Sequence, residues 1–402
     1  CEQSEGKNVR PVRHERPRSV IAMIVVATVG MFASMTLALG LLLAFTPYLM
    51  RRNECFAVTV PASAQKDPRL VALKKRYATA MVALTAACTI AAIAAGVLMA
   101  QGAEQADNAA SGIGIALMCA ALFVPAIASF ALMLVFRKRV TAIKKAEGWA
   151  AEHRTRTAIV GEDDVPGAIS LAWNLLYVVI VLFTTALGCA LYPSMPDLIP
   201  MHGDFAGNVD SYADKSIGSV FGFPLLMEAF FALIFFGCHA IMLRSKRPTD
   251  PGAPATSALA YGLFVRAESI FLLAVGVIIS AGIGVGFMLS AAGIITLMQM
   301  GLAMIIVGIL VAIGSVAISL VYGQAGSRLF RRMQGDDYLS NDDDEHWKLG
   351  IFYCNRDDAS IFLPERFGIG WTINFARPAA WILIGCFFAM DIIVVAAIVF
   401  LA

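Results

Sequence analysis

Three ionisable side chains fall inside long apolar runs, where lipid makes charge costly and therefore informative. Glu228 and His239 share the run FPLLMEAFFALIFFGCHAIML, eleven residues apart. On a helix that separation is close to three turns, so both sit on one face. Asp391 interrupts a second apolar stretch, WILIGCFFAMDIIVVAAIVF, while Arg266 and Glu268 border a third. Acids and a histidine at such depths could pass a proton or cation across the membrane, with Glu228 as the protonatable coupling group. They could equally be protonated or paired with tyrosine, asparagine or Arg266 as interhelical links.

A second constellation lies in the polar segment YPSMPDLIPMHGDFAGNVDSYADKS, residues 192–216. Pro193, Pro196 and Pro200 stop the preceding helix, and a polar turn containing His202, Asp204, Gly207, Asp210 and Asp214 leads to Lys215. The acids and His202 could in principle hold a cation, but their spacing matches neither an EF-hand loop nor a zinc signature. Two readings remain beside that one: a rigid loop folded onto helix ends, and a surface that contacts a ligand or peptide.

The elements that must carry these groups follow from composition. The 402 residues are 59% hydrophobic and 15% charged, well below the charged share of about 25% in soluble domains. A helix needs roughly 20 apolar residues to cross a bilayer, and about eight runs qualify: 19–47, 77–100, 112–136, 170–191, 220–243, 269–289, 293–322 and 378–401. The expected fold is an all-α polytopic membrane protein with a small cytoplasmic β-meander insert. Five regions are expected. A polar tail covers 1–18 and a three-helix region with basic loops covers 19–168. Helix pairs cover 169–243 and 244–322, and an insert with the last helix covers 323–402. Gly282 and Gly286 form a GxxxG in the sixth run, suited to packing between helices of the same chain.

Lys and Arg are distributed unevenly among the loops. Segments 51–76 and 137–156 hold seven each, 244–247 holds three and 323–377 holds seven, whereas 101–111, 192–219 and 290–292 share one, Lys215. Basic loops stay in the cytoplasm, so this alternation predicts a multi-pass bacterial cytoplasmic-membrane protein. The His202 loop and C-terminus are then extracytoplasmic and residues 323–377 cytoplasmic. The tail disagrees: it carries five basic residues on the side that parity places outside. The chain begins at Cys1, which a truncated reading frame explains more simply than a lipidated cysteine left after signal cleavage.

Within 342–381, the runs Trp347–Tyr353, 361–363 and 371–375 have strand character around a turn at Asn355 to Asp358, which predicts a three-stranded meander. The preceding acids, Asp342 to Glu345, read as a solvated turn that balances Arg328, Arg331 and Arg332. Eight scattered cysteines form no CxxC or Cys/His pattern, and no HExxH, GxSxG, Walker or dinucleotide motif occurs. No catalytic residue, metal, cofactor or direct nucleic-acid contact is expected.

Two stretches resemble known families. Pro196, Ile199, Pro200, His202, Gly207 and Asp210, followed by Lys215, resemble the domain of unknown function 1648. That domain is found in the immunity-protein family that guards against the sporulation-delaying toxin. Trp347, Gly350, Tyr353, Asn355, Arg366, Gly368, Gly370, Trp371 and Asn374 resemble the domain of unknown function 5808. The pairing implies a sensor or immunity-type membrane protein. Pro200, His202, Asp204, Gly207, Asp210 and Lys215 would then meet an extracellular peptide. Trp347, Tyr353, Asn355, Arg366, Trp371 and Asn374 would meet a cytoplasmic regulator. The alternative is a proton-coupled transporter or exporter working through Glu228, His239 and Asp391.

Overall fold

The computed structural model describes residues 18–51, 53–61, 63–104, 108–149, 165–203, 209–247, 249, 253–333, 343–368 and 370–401. The polar tail as far as residue 17, Asp204, Gly207 and Asp342 lie outside the described residues.

The chain is an all-α membrane bundle with small β hairpins at its ends. Helices α1 (Arg18–Leu49), α2 (Pro68–Glu104) and α3 (Asn108–Ala146) pack as one group. Between α1 and α2, strands β1 (Glu54–Cys55) and β2 (Val58–Thr59) form a tight hairpin. Its two turn residues, Phe56 and Ala57, have φ of 47° and 58°, which non-glycine residues seldom adopt. Packing holds them there. Phe56 is fully buried and stacks on Phe136 at 5.1 Å, with Tyr77 edge-on at 5.3 Å. Asp67 starts α2 by accepting the Arg69 amide, and Pro68 takes the first helical position.

The second group begins with α4 (Leu175–Leu191), followed by a hairpin of β3 (Leu198–Gly203) and β4 (Val209–Asp214). Then come α5 (Phe223–Arg244), α6 (Pro254–Ala291) and α7 (Leu297–Tyr322). Thr296 and Gln299 form a capping box at the start of α7, and Gly323, with φ 68°, ends it. Gly282 and Gly286 of α6 lie against Met304 and Met300 of α7, the intramolecular packing expected of that spacing.

Short α8 (Ser327–Met333) leads into the insert, where β5 (Trp347–Lys348), β6 (Phe352–Tyr353), β7 (Phe362–Pro364) and β8 (Trp371–Ile373) precede α9 (Pro378–Leu401). The expected meander is instead two hairpins, β5–β6 and β7–β8, joined by one parallel bridge from Tyr353 to Asn374. The reason is local: Leu349 and Gly350, at φ 51° and 78°, turn the chain inside what reads as one strand.

Among the described residues, seven helices are long and apolar enough to cross a membrane, and α9 adds a shorter apolar stretch, Pro378–Ile393. Their outward faces are apolar. Ile90, Phe123, Ile127, Leu182 and Ile392 are all more than 60% exposed. A surface of that kind along whole helices requires lipid as its solvent.

Candidate functional site

The β3–β4 hairpin, which sequence reasoning treated as a polar turn, is a six-residue antiparallel pair with register breaks on both sides of His202. Such breaks re-aim the side chain next to them. His202 Nδ1 and Asp210 Oδ1 lie 2.6 Å apart, with side chains 70% and 47% exposed. Pro200 pairs with Tyr212 across the ladder. The hairpin is fixed to the helix ends by Ile199, fully buried among Met195, Val220, Phe287 and Met288. Lys215 turns inward. Its ammonium donates to the Met195 carbonyl at 2.8 Å and lies over the Tyr192 ring at 4.9 Å. Ser219 closes the turn into α5 by donating to the Asp214 carbonyl at 2.7 Å. Beside His202, the exposed described residues include Asp197, Asp210 and Asp214 with Leu198, Tyr212 and Ile217.

At the other end of α5, the chain is bonded directly to the insert. The Lys246 amide donates to the Phe362 carbonyl at 2.8 Å, and its ammonium pairs with Asp358 at 2.6 Å. Trp371 donates its indole N–H to Ser245 Oγ at 3.0 Å and stacks on Phe264 of α6. One helix therefore joins the hairpin to the insert. Its 22 residues span about 33 Å at 1.5 Å per residue, close to the ~30 Å hydrocarbon core.

The insert is organised around Arg366, whose side chain is 3% exposed. Its guanidinium pairs with Asp343 and Asp344, approaches Glu54 at 3.7 Å and sits 5.0 Å from the Trp347 ring. Asp344 also receives Lys144 of α3 at 2.7 Å and both the amide and hydroxyl of Thr59. Glu345 is 58% exposed as expected, but the expected solvated turn is corrected at Asp343 and Asp344. These acids answer Arg366 and Lys144, and the β1–β2 hairpin, α3 and the insert meet on them. Arg51 donates to the Pro364 and Glu365 carbonyls, and Arg137 donates to those of Ala57 and Trp347. Sequence spacing gives no hint of such contacts, because Arg51 and Glu365 are 314 residues apart.

Trp347, Tyr353, Arg366 and Asn374 are buried, and Asn355 and Trp371 are part-buried. Asn374 Nδ2 serves the carbonyls of Asn355, Asp358 and Ser360, while Tyr353 donates to Asp358 at 3.0 Å. These six hold the insert together. The apolar surface it turns outward belongs to Leu349 and Phe352.

Charge state follows from these contacts. Burial alone would raise Asp344, but Arg366 and Lys144 outweigh it and bring the carboxyl down to about 2. Asp358 is likewise brought to about 2, against burial, by Lys246 and the Ser360 amide. Glu365 has no such compensation, and burial lifts it from 4.5 to about 7. Between those two values the folded chain holds a proton that the unfolded chain has released, so stability falls as pH rises through that window. The two depressed aspartates act at the opposite end: their contribution is full above 3.8 and is lost as pH falls toward 2. The unfolding temperature of the purified chain should therefore be greatest near about pH 4 and decline toward about pH 7. Glu365→Gln should flatten that decline, and an unchanged decline would remove Glu365 as its cause.

Within the bundle, α4 and α6 enclose Glu228 and His239, which are 0% and 1% exposed. Thr184 donates to Glu228 Oε1 at 2.6 Å. Asn174 Nδ2 lies 2.9 Å from His239 Nδ1, and His239 Nε2 lies 2.9 Å from the Ile169 carbonyl. A carbonyl only accepts, so Nε2 carries the proton and Nδ1 accepts from Asn174, which makes the imidazole neutral. Asp391 is part-exposed on α9 and shares no hydrogen bond with Glu228 or His239 among the described residues. The three intramembrane groups therefore divide into a buried pair and an outlier.

Residues 179–227 match the model of a domain of unknown function, DUF1648, and residues 356–381 match a family of unknown function, DUF5808. No curated protein and no solved structure matches the chain. The combination that the two motifs resemble is present. The first match carries Pro200, His202, Asp210 and Lys215 and stops one residue short of Glu228. The second carries Arg366, Trp371 and Asn374, while Trp347, Tyr353 and Asn355 precede it.

Proposed function

We propose that this integral membrane protein senses, or confers immunity to, an envelope-active peptide and signals to a cytoplasmic partner. The observation that carries the reading is α5, one membrane-length helix hydrogen-bonded to a distinct module at each end. The alternation of basic loops supports a bacterial cytoplasmic membrane with the β3–β4 hairpin outside and the insert inside. The hairpin's exposed aspartates and neighbouring apolar side chains suit a cationic, amphipathic peptide, since opposite charge steers the encounter and apolar contact retains it. The insert's Leu349 and Phe352 are the apolar groups that a cytoplasmic regulator would cover.

The test is protection. A susceptible bacterium expressing the chain should survive a cationic amphipathic peptide at doses that kill the parent strain. Equal killing at verified membrane abundance, over a panel of such peptides, would overturn the reading.

A further inference from the structure

Three polar atoms buried between α4, α5 and α6 have no hydrogen-bond partner in the described protein: Glu228 Oε2, Ser280 Oγ and Tyr177 Oη. Their residues are 0%, 1% and 5% exposed. Leaving such groups unmet costs ~1–3 kcal/mol each, so three together call for a shared explanation.

Their placement supplies one. Gly276, Ser280 and Gly284 recur every fourth residue on α6 and so share one face. A Cβ at Gly284 would overlap Glu228 Oε1, and one at Gly276 would overlap Tyr177 Oη. The two glycines thus admit polar atoms from α5 and α4, with the Ser280 hydroxyl one turn from each. Adjacent stations lie about 6 Å apart along the axis, a gap that one water bridges. Below Tyr177, at the cap that starts α4, Asn174 meets His239, whose Nε2–H donates to the Ile169 carbonyl. The Ile169 amide is held by Ser269 of α6 at 3.1 Å. Beside that peptide opens a pocket lined by Val165, Pro166, Gly167, Ala168, Ser245 and Tyr261, among others, at the insert end of the bundle.

We propose that Glu228 is a reversible proton-binding site connected to this pocket by a hydrated path through Ser280, Tyr177 and the Asn174–His239 pair. On loading, Glu228 Oε2 takes H⁺ from an adjacent water, which is reprotonated along the chain of hydroxyls. On release the carboxyl returns H⁺ to that water, and no electrons move. No charged group contributes to the surroundings of Glu228 among the described residues. Thr184 of α4 is its one hydrogen-bond donor, and α6 presents Ser280 and Gly284. α9 also packs against α5 and carries Asp391, which is part-exposed and shares no hydrogen bond with Glu228 among the described residues. The site does not depend on the hairpin's role.

The experiment is infrared difference spectroscopy of the full chain in proteoliposomes on transfer from H₂O to D₂O, with the deuteron as probe. A protonated-carboxyl band should shift with exchange and vanish in Glu228→Gln. Selective ¹³C labelling of glutamate should move the same band in the unsubstituted chain, and the band should persist when Glu54, Glu268 or Glu365 is changed to Gln, which identifies it even if the Glu228 variant fails to fold. Ser280→Ala and Tyr177→Phe should slow the exchange at least about tenfold, equivalent to ~1.4 kcal/mol of barrier. A band that persists in folded Glu228→Gln, one that fails to exchange while the chain stays folded, or unaltered exchange in both hydroxyl variants would overturn the proposal.

Discussion

Arg366→Ala should detach the insert from the bundle and cost about 3–5 kcal/mol, the range for removing one partner of a buried ion pair. The substitution removes the buried guanidinium that Glu54, Asp343 and Asp344 share, leaving only Arg51 near Glu54 and Lys144 on Asp344. Thermal unfolding of the purified chain, followed by the fluorescence of Trp347 beneath the guanidinium, would register the loss. Arg366→Lys should recover only part of it, because an ammonium cannot present two fork-like donor edges to two carboxylates at once. Adding Glu54→Gln and Asp343→Asn to Arg366→Met should restore more than either change alone, since Asp344 keeps Lys144 and the apolar replacement then faces no unpaired charge. A shift within about 0.5 kcal/mol for Arg366→Ala, the scale of ordinary surface changes, would mean that the cluster does not hold the junction.

In the protection assay, His202→Ala and Asp210→Ala should each abolish survival while membrane abundance stays unchanged. Exposure separates the two effects. A solvated pair such as His202–Asp210 contributes only ~0–1 kcal/mol to folding, so its loss leaves the bundle intact. Both side chains are nonetheless exposed beside the register breaks at His202, where an incoming peptide would meet them. Asp210→Asn keeps a hydrogen-bonding shape without the charge, and protection that fails in this variant too assigns the contact to charge. Full protection by both alanine variants at equal abundance would remove the pair from the contact surface.

The helices were legible because apolar runs of membrane length leave few alternatives, and Glu228 and His239, eleven residues apart on α5, each meet a polar side chain from the α4 side. The hairpin was less so: prolines and register breaks erase the alternation that marks a strand. The single meander failed at Leu349 and Gly350, since a two-residue reversal inside an aromatic run looks like continuous strand. The role of Asp343 and Asp344 was hidden for a different reason. Acids are solvated unless something distant neutralises them, and here the partners come from Arg366 and from Lys144, 200 residues away. Ser280 and Tyr177 carry no signal of their own in an apolar run. Their meaning depends on the glycines opposite and on Glu228 from another helix.

The claim on which the account turns is that α5 joins modules on opposite sides of the membrane, and labelling tests it directly. In a chain keeping native Cys354, which is exposed in the insert, with its other cysteines changed to serine and Tyr212→Cys added on the hairpin, intact cells would be treated with a membrane-impermeant maleimide. Position 212 should react at once and Cys354 only after lysis. Reaction of both in intact cells, or of Cys354 alone, would contradict the account.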